Sequence, residues 1–411
     1  MSNRKKLHLP KSVAQSKGSV GKAVTWFSNA PWAGTGYGTQ AQQVLSRMAA
    51  DGKTLAVSVN YGFEAGNTSV PMCGVDVPVY GSGFGQWRAD ALQANARHFS
   101  ATVGKEPFIV TLCDVWTFKP DDVGDIPVLS WTPVDHAPLP PRVAKWFELP
   151  NVRAVAMSKF GQAMFEGAGI ESVYIPHAFD SAVFKPTPKI DLGGGNVKSG
   201  RELLDIGEDR FVVMMNSANK GVAPNRKAFG ENLLAFSIFA KRHDDALLYL
   251  HTEQFGAMGG IDLVKLIRAC DIPETQVRFV DQYAYRSQIS AQILAGIYSA
   301  ADVLLACSRG EGFGIPVIEA QACGVPVVVS DWTAQPELVC DGWLTAVQPE
   351  WDPMQESWFA TPIVQDIVDA LEQSYQRGRG VSQKAIDAMR QYDADFVYDT
   401  MWRPLLDEVG V

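Results

Sequence analysis

The stretch Ser308-Arg-Gly-Glu-Gly-Phe-Gly-Ile-Pro-Val-Ile-Glu-Ala-Gln-Ala-Cys-Gly-Val-Pro-Val-Val-Val-Ser-Asp331 decides the fold class. It follows an apolar run, Val303-Leu304-Leu305-Ala306-Cys307, that reads as a buried strand, so Glu311 is placed at a strand's carboxyl end. Gly312 and Gly314 remove side chains where a ligand could touch the backbone, and Pro316 suits the first position of a helix. The free amides of such a helix start, together with its dipole, favour a bound phosphate. Glu319 then falls about one turn into the helix, where a carboxylate can accept a pair of ribose hydroxyls. Gly324 ends the helix, and the apolar run 325–329 reads as the next strand. By local grammar alone, strand, glycine turn, proline-started helix and glycine cap recur in many α/β proteins.

Outward from this string, short β-rich runs alternate with longer helical patterns, the signature of βαβ units around parallel sheets. Before it, strands are predicted at 24–28, 55–59, 108–113, 128–132, 152–157 and 173–175, with a glycine turn at 34–38 and a helix over 39–50. The Pro- and Gly-rich segment 185–200 interrupts the alternation and reads as an interdomain connection. A second alternation follows, with strands at 211–215, 246–250, 277–280, 302–306 and 325–329, and helical patterns at 229–241 and 288–300. The predicted organisation is a Rossmann-like α/β domain at 23–184, a linker at 185–200, a second such domain at 201–390 and a helical stretch at 391–411. Two doubly wound parallel sheets facing one another would line a shared cleft with their strand carboxyl ends.

Length and composition are compatible with this. The 411 residues suit two or three domains, and 46% hydrophobic with 20% charged residues excludes disordered, collagen-like and coiled-coil classes. A net charge of −9 sets the surface against a phosphate backbone, so no duplex nucleic acid is expected as partner. The six cysteines are scattered, with no C-x-x-C pair or zinc spacing, and read as reduced small hydrophobes of a cytoplasmic protein. No apolar run reaches the ~18 residues of a membrane span, and Met1-Ser-Asn-Arg-Lys-Lys6 has no signal-peptide core. Residues 1–22 carry Arg4, Lys5, Lys6, Lys11, Lys17 and Lys22. They read as a flexible basic tail, either merely solvated or in weak contact with an anionic membrane or partner.

The string at 308–331 resembles the donor-binding signature of the retaining GT-B glycosyltransferases of the large family four (glycosyl transferases group 1), E-G-F-G-x-P-x-x-E-A-x-A-x-G-x-P-V-V. The resemblance runs from Val24 to about Leu406 and implies that the helical stretch at 391–411 crosses back to the first domain. Val155-Ala-Met-Ser-Lys-Phe160, with Ser158, is similar to the family's V-S-x-F element. Tyr174-Ile-Pro-His-Ala-Phe-Asp-Ser-Ala-Val-Phe-Lys-Pro186 is similar to its I-P-N-G-V-D-x-x-x-F-x-P element, with His177 and Ala178 in place of Asn-Gly. The region from Val277 to Phe313 follows the family order of strand, helix ending in Tyr, strand and E-G-F-G loop. Ala33-Gly-Thr-Gly-Tyr-Gly38 resembles the glycine loop that faces diphosphate and acceptor, through Gly36, Tyr37 and Gly38; its spacing is not that of a dinucleotide fingerprint. Ser130-Trp-Thr-Pro-Val-Asp-His-Ala-Pro138 resembles the acceptor-side loop and offers Asp135 or His136. In Asn216-Ser-Ala-Asn-Lys-Gly-Val-Ala-Pro-Asn-Arg-Lys-Ala-Phe229, Lys227 matches the family lysine, and Lys220 or Arg226 supplies a second cation or is a solvated loop charge. The residues from Trp332 to Glu337 resemble the loop beside the distal phosphate, and Tyr283 and Tyr285 border the base or pack in the core.

What the resemblance implies is a retaining hexosyltransferase acting between a nucleoside diphosphate sugar and an acceptor hydroxyl. Glu311 would bind the sugar, with Gly312, Phe313, Gly314 and Ile315 beside it, Glu319 the ribose, and Lys227 with its second cation the diphosphate. Fixed cations can stabilise a departing diphosphate without a metal, so metal independence and no cofactor are expected, the nucleotide sugar being a substrate. Two other readings stand beside it: a nucleotide-sugar epimerase or hydrolase on the same fold, and a degenerate nucleotide-binding protein without catalysis. The acceptor, whether lipid, polysaccharide, protein or modified base, is unidentified.

Overall fold

Residues Ala23–Asn29 form β1, buried on both faces from Ala23 to Ser28, as a central strand of a parallel sheet must be. The computed structural model describes residues 21–221 and 225–411; the predicted basic tail lies outside the described residues up to residue 20. β1 is followed by β2 (Leu55–Tyr61), β3 (Asn67–Met72), β4 (Val75–Tyr80), β5 (Pro107–Leu112), β6 (Val128–Thr132), β7 (Val152–Ala156) and β8 (Ser172–Tyr174). The sheet order is β3-β4-β2-β1-β5-β6-β7-β8, and only β3 runs antiparallel. The β3–β4 hairpin was not predicted. Its first strand is a mostly exposed edge, and Cys73 and Gly74, both at positive φ, make the two-residue turn that right-twisted strands prefer.

This first unit comprises the described residues up to Val134, Leu139–Ala178 and Ala394–Val411. The closing segment is held by Trp402, buried against Trp26 and Trp131 at centroid separations of 6.0 and 5.0 Å. Ion pairs Arg47–Asp395 and Lys53–Asp407, each 2.7 Å, flank that contact. Pro404 follows directly on a wide π-helical turn at Tyr398–Trp402, which runs without a break into the helix Arg403–Glu408.

The second unit comprises Asp135–Pro138 and Phe179–Asp393. After a two-residue ladder, β9 (Ile190–Asp191) and β10 (Val197–Lys198), come β11 (Phe211–Asn216), β12 (Ala246–His251), β13 (Val277–Phe279), β14 (Val303–Leu305), β15 (Val327–Ser330) and β16 (Gly342–Thr345). They form a wholly parallel sheet of order β13-β12-β11-β14-β15-β16. Its core joins Phe229, Phe236 and Phe239 to Leu248, Leu250 and Leu371. A hairpin, β17 (Val347–Asp352) and β18 (Ser357–Pro362), completes the strands.

Two sequence-based boundaries are corrected. Segment 185–200 is packed into the second unit instead of joining two units: Ile190 is buried over Gly296, where an added Cβ would meet its side chain at 2.3 Å. Asp135 and His136, expected in the first domain because they follow β6, group with the second unit.

Candidate functional site

In the second sheet the strand order reverses between β11 and β14, and ligands of open α/β sheets bind beyond the carboxyl ends of the strands at such a point. Two loops meet there. The Arg309 amide donates to the Arg226 carbonyl at 2.8 Å, the Arg226 guanidinium to the Gly310 carbonyl at 2.8 Å, and the Asn232 amide to the Cys307 carbonyl at 2.8 Å. This zipper fixes the two cations against Glu311. Lys227 Nζ lies 2.5 Å from Glu311 Oε1 and Arg226 Nη1 lies 2.7 Å from Oε2. Of the two residues offered for the second cation, Arg226 stands beside Lys227, while Lys220 is exposed.

Glu311 is only 7% exposed. Burial alone would raise its pKa, but Arg226 and Lys227 override that and hold it down at about 2. Burial lowers the pKa of Lys227 even as Glu311 pulls it up. The triad therefore sets two cationic groups against one carboxylate, with the Asp135 carboxylate acting on both cations beside it. The Glu311 amide is itself anchored, donating to Thr333 Oγ1 at 2.9 Å.

Gly314, at φ 124°, leads into the helix Ile315–Ala322, so Pro316 takes its second position, one later than predicted. Phe313 is buried edge-on to Tyr392, 5.7 Å between centroids. Glu319, 6% exposed, accepts a hydrogen bond from the Tyr298 hydroxyl at 2.9 Å. Burial pushes its carboxyl up to about 8, with the Tyr298 hydrogen bond acting the other way.

Asp135 and His136 reach the same loops. An added Cβ on Gly310 would lie 2.3 Å from the Asp135 carbonyl, so only glycine permits this approach. His136 Nδ1 is 2.7 Å from Asp135 Oδ1, its Nε2 is 3.5 Å from Asp352 Oδ2, and its ring lies 3.9 Å from that of Phe359. Burial would raise the Asp135 pKa, but His136 and then Arg226 lower it overall. The β17–β18 hairpin, missed in the sequence, buttresses this corner: Ala137 and Trp358 exchange backbone hydrogen bonds, and Arg309 pairs with Glu350 at 2.6 Å and Glu231 at 2.6 Å. The signal was the turn-forming stretch Asp352-Pro-Met-Gln-Glu-Ser357 between runs that carry Trp351 on one side and Trp358 and Phe359 on the other. Sequence reasoning also passed over Asn216 and Tyr298 as individual residues.

The other candidates lie in the first unit. The predicted turn at 34–38 is half helix. Thr35 caps the helix Gly36–Ala50 by accepting from the Gly38 amide at 3.1 Å, and a Cβ on Gly38 would stand 2.4 Å from the Ala33 carbonyl. Tyr37 is half-buried in that first turn. Ser158 is fully buried, its hydroxyl capping the helix Lys159–Gly167 through the Gly161 amide at 3.0 Å. In the second unit Tyr283 is 82% exposed, whereas Tyr285 packs edge-on to His251, whose imidazole burial lowers to about 4. Among the described residues, no group of His, Cys, Asp and Glu could hold a metal ion, and no helix is long and apolar enough to cross a membrane.

Residues 223–373 match the family model of glycosyl transferases group 1. The O-antigen chain mannosyltransferase B of Escherichia coli is 35% identical over 99 residues, 24% of this chain and 25% of that protein. The alignments span 25%, 18% and 39% of the lengths of three curated relatives. Among solved structures, the sucrose-phosphate synthase of Thermosynechococcus elongatus superposes with a TM-score of 0.70 at 16% identity, over 94% of this chain and 99% of that one. An Anabaena protein solved in complex with UDP-glucose gives a TM-score of 0.61 at 16% identity, over 93% and 99%. The fold is GT-B, two parallel-sheet α/β units, and its second unit carries the region that matches the glycosyl transferases group 1 family.

Proposed function

We propose that the protein is a glycosyltransferase that moves a hexose-type sugar from a nucleoside diphosphate sugar to an acceptor hydroxyl with retention at the anomeric carbon. The observation that carries this reading is the buried Glu311, clamped between Arg226 and Lys227 at the switch point of a sheet whose next helix bears Glu319. The family match over residues 223–373 and the UDP-glucose complex of a protein of the same fold support it.

On this reading the donor's diphosphate draws Arg226 and Lys227 toward itself, and the amides opening the helix Ile315–Ala322 meet its oxygens. Glu311, partly released from its cations, accepts hydrogen bonds from the sugar hydroxyls, and Glu319 accepts from the ribose. The bond from the anomeric carbon to the phosphate oxygen breaks as the acceptor oxygen bonds to that carbon on the same face. The acceptor's proton passes to a phosphate oxygen of the leaving nucleoside diphosphate. Charge accumulating on that leaving group is stabilised by the two cations, which the bound donor has already drawn into place. On this reading His136, whose ring Asp135 and Phe359 hold, serves the transferred sugar or the acceptor.

The test is a melting-temperature screen against uridine, guanosine and adenosine diphosphates, followed by hydrolysis and transfer assays on the matching sugars. One nucleotide, at ~100 times its dissociation constant, should add ~2.7 kcal/mol of stability. No response to any nucleoside diphosphate would overturn the reading.

A further inference from the structure

Glu319 is not held by its own helix. The helix Ala291–Tyr298 ends on Tyr298, whose ring is wholly buried and whose hydroxyl lies 2.9 Å from Glu319 Oε2. The same hydroxyl lies 2.7 Å from Nδ2 of Asn216, the last residue of β11 and thus at the switch point. An amide nitrogen only donates, so the hydroxyl accepts from Asn216 and has its single proton left for Glu319. The relay has one direction, from the end of β11 through Tyr298 to the carboxyl. Glu319 Oε1 has no hydrogen-bond partner among the described residues.

We propose that Asn216 and Tyr298 are positioning residues that lock the Glu319 carboxyl through Oε2 and keep Oε1 directed at the ribose, so that the relay sets a preference for ribonucleotide over deoxyribonucleotide donors. The inference rests on the donor-site reading above. Its physical basis is pre-organisation. A glutamate side chain loses much rotamer freedom when fixed, and here that loss is met by the fold before any ligand arrives. A site built to hydrogen-bond a hydroxyl discriminates strongly against the analogue lacking it, because its own buried polar group is left unpaired. Burial raises the Glu319 pKa more than the Tyr298 donor lowers it, and with Oε2 taken by the phenol, Oε1 is the oxygen left for a ribose hydroxyl.

Calorimetric titration of the full chain with the best-binding nucleoside diphosphate and its 2′-deoxy counterpart tests this. Wild type should favour the ribonucleotide by about tenfold or more. Tyr298→Phe keeps the ring and should cut that ratio to about threefold or less, and Asn216→Ala should lower it to a smaller degree. Equal weakening of both nucleotides by these variants, with the ratio kept, would assign Tyr298 to packing alone and overturn the proposal. A wild type that binds nucleotide without ribose preference would overturn it too, leaving the donor reading intact. Binding of neither nucleotide by wild type would overturn the donor reading itself, and the relay with it. Should Tyr298→Phe not fold, Asn216→Ala and Asn216→Ser carry the test, since Asn216 is only half-buried at a strand end.

Discussion

Glu311 and Glu319 stand eight residues apart in one short strand–loop–helix unit, both under a tenth exposed, and their carboxyls are driven in opposite directions. The first is ionised down to about pH 2 because a loop after β11 brings two cations onto it; the second, met by one neutral phenol, keeps its proton up to about pH 8. Burial is common to both, so the difference comes from partners supplied by distant segments, residues 226–227 for one and 298 for the other. A buried carboxylate facing two cations binds charge and hydroxyls. A buried carboxyl facing a phenol is poised for neutral hydrogen-bonding groups. The two roles proposed for them follow from this division.

The largest effect should come from stripping Glu311 of a cation. Lys227→Ala leaves a buried carboxylate with Arg226 alone and should cost ~3–5 kcal/mol in denaturant unfolding, together with turnover. Adding Glu311→Gln should restore part of the stability, giving a coupling energy of ~0.5–3 kcal/mol in the double-mutant cycle. Strictly additive single variants would break the comparison at its stronger end.

Next in size is a pH dependence of opposite sign at the two positions. Glu319, raised from 4.5 to about 8 by folding, contributes stability that is whole below pH 4.5 and is lost as pH rises through 8. Glu319→Gln should therefore gain on wild type in melting temperature between pH 5 and 8. Glu311, lowered from 4.5 to about 2, contributes stability that is present above pH 4.5 and is lost as pH falls through 2. Glu311→Gln should accordingly lose most above pH 4.5 and converge on wild type toward pH 2. Parallel curves for the two variants would erase the distinction.

A smaller and more specific effect concerns the nucleotide. Glu319→Ala should weaken nucleoside diphosphate binding by ~1–3 kcal/mol, since ribose hydroxyls lose their acceptor. Glu311→Ala should depress turnover more than nucleotide affinity, because its proposed contact is to the sugar. Calorimetry and steady-state rates on both variants separate the roles, and wild-type turnover in both would remove them.

Much of this contrast could be read in the sequence, and what could not has a common cause. The glycine turn, the proline-started helix and both glutamates were legible because they lie within one contiguous string governed by local rules. The choice of Arg226 over Lys220 was not, since it depends on the Arg309–Arg226 backbone hydrogen bond between loops some 80 residues apart. Asp135 and His136 were assigned to the strand before them, whereas the close approach at Gly310 joins them to the other unit. Segment 185–200 shows the limit of composition: proline and glycine mark irregular backbone equally well in a linker and in a loop packed through one apolar anchor, here Ile190. Asn216 gave no local signal, and Tyr298 was visible only as the tyrosine that ends a helix in the family order, because a strand-end amide and a helix-end phenol acquire their role only when the sheet brings them to Glu319.

The smallest effect predicted is none at all. If Arg226 and Lys227 supply the positive charge that a departing diphosphate requires, a divalent cation adds little, since Lys227 stands beside the buried Glu311, where charges act strongly. Excess chelator should then leave the transfer rate unchanged, and added magnesium or manganese should not raise it. The comparison sharpens this. Neutralising Lys227 removes half of the fixed charge, so Lys227→Ala is the background on which a divalent ion has most to offer, and partial rescue by metal is expected there and not in wild type. Reversible loss of wild-type activity on chelation, restored by either ion, would mean that the cation pair serves chiefly to hold Glu311 in place.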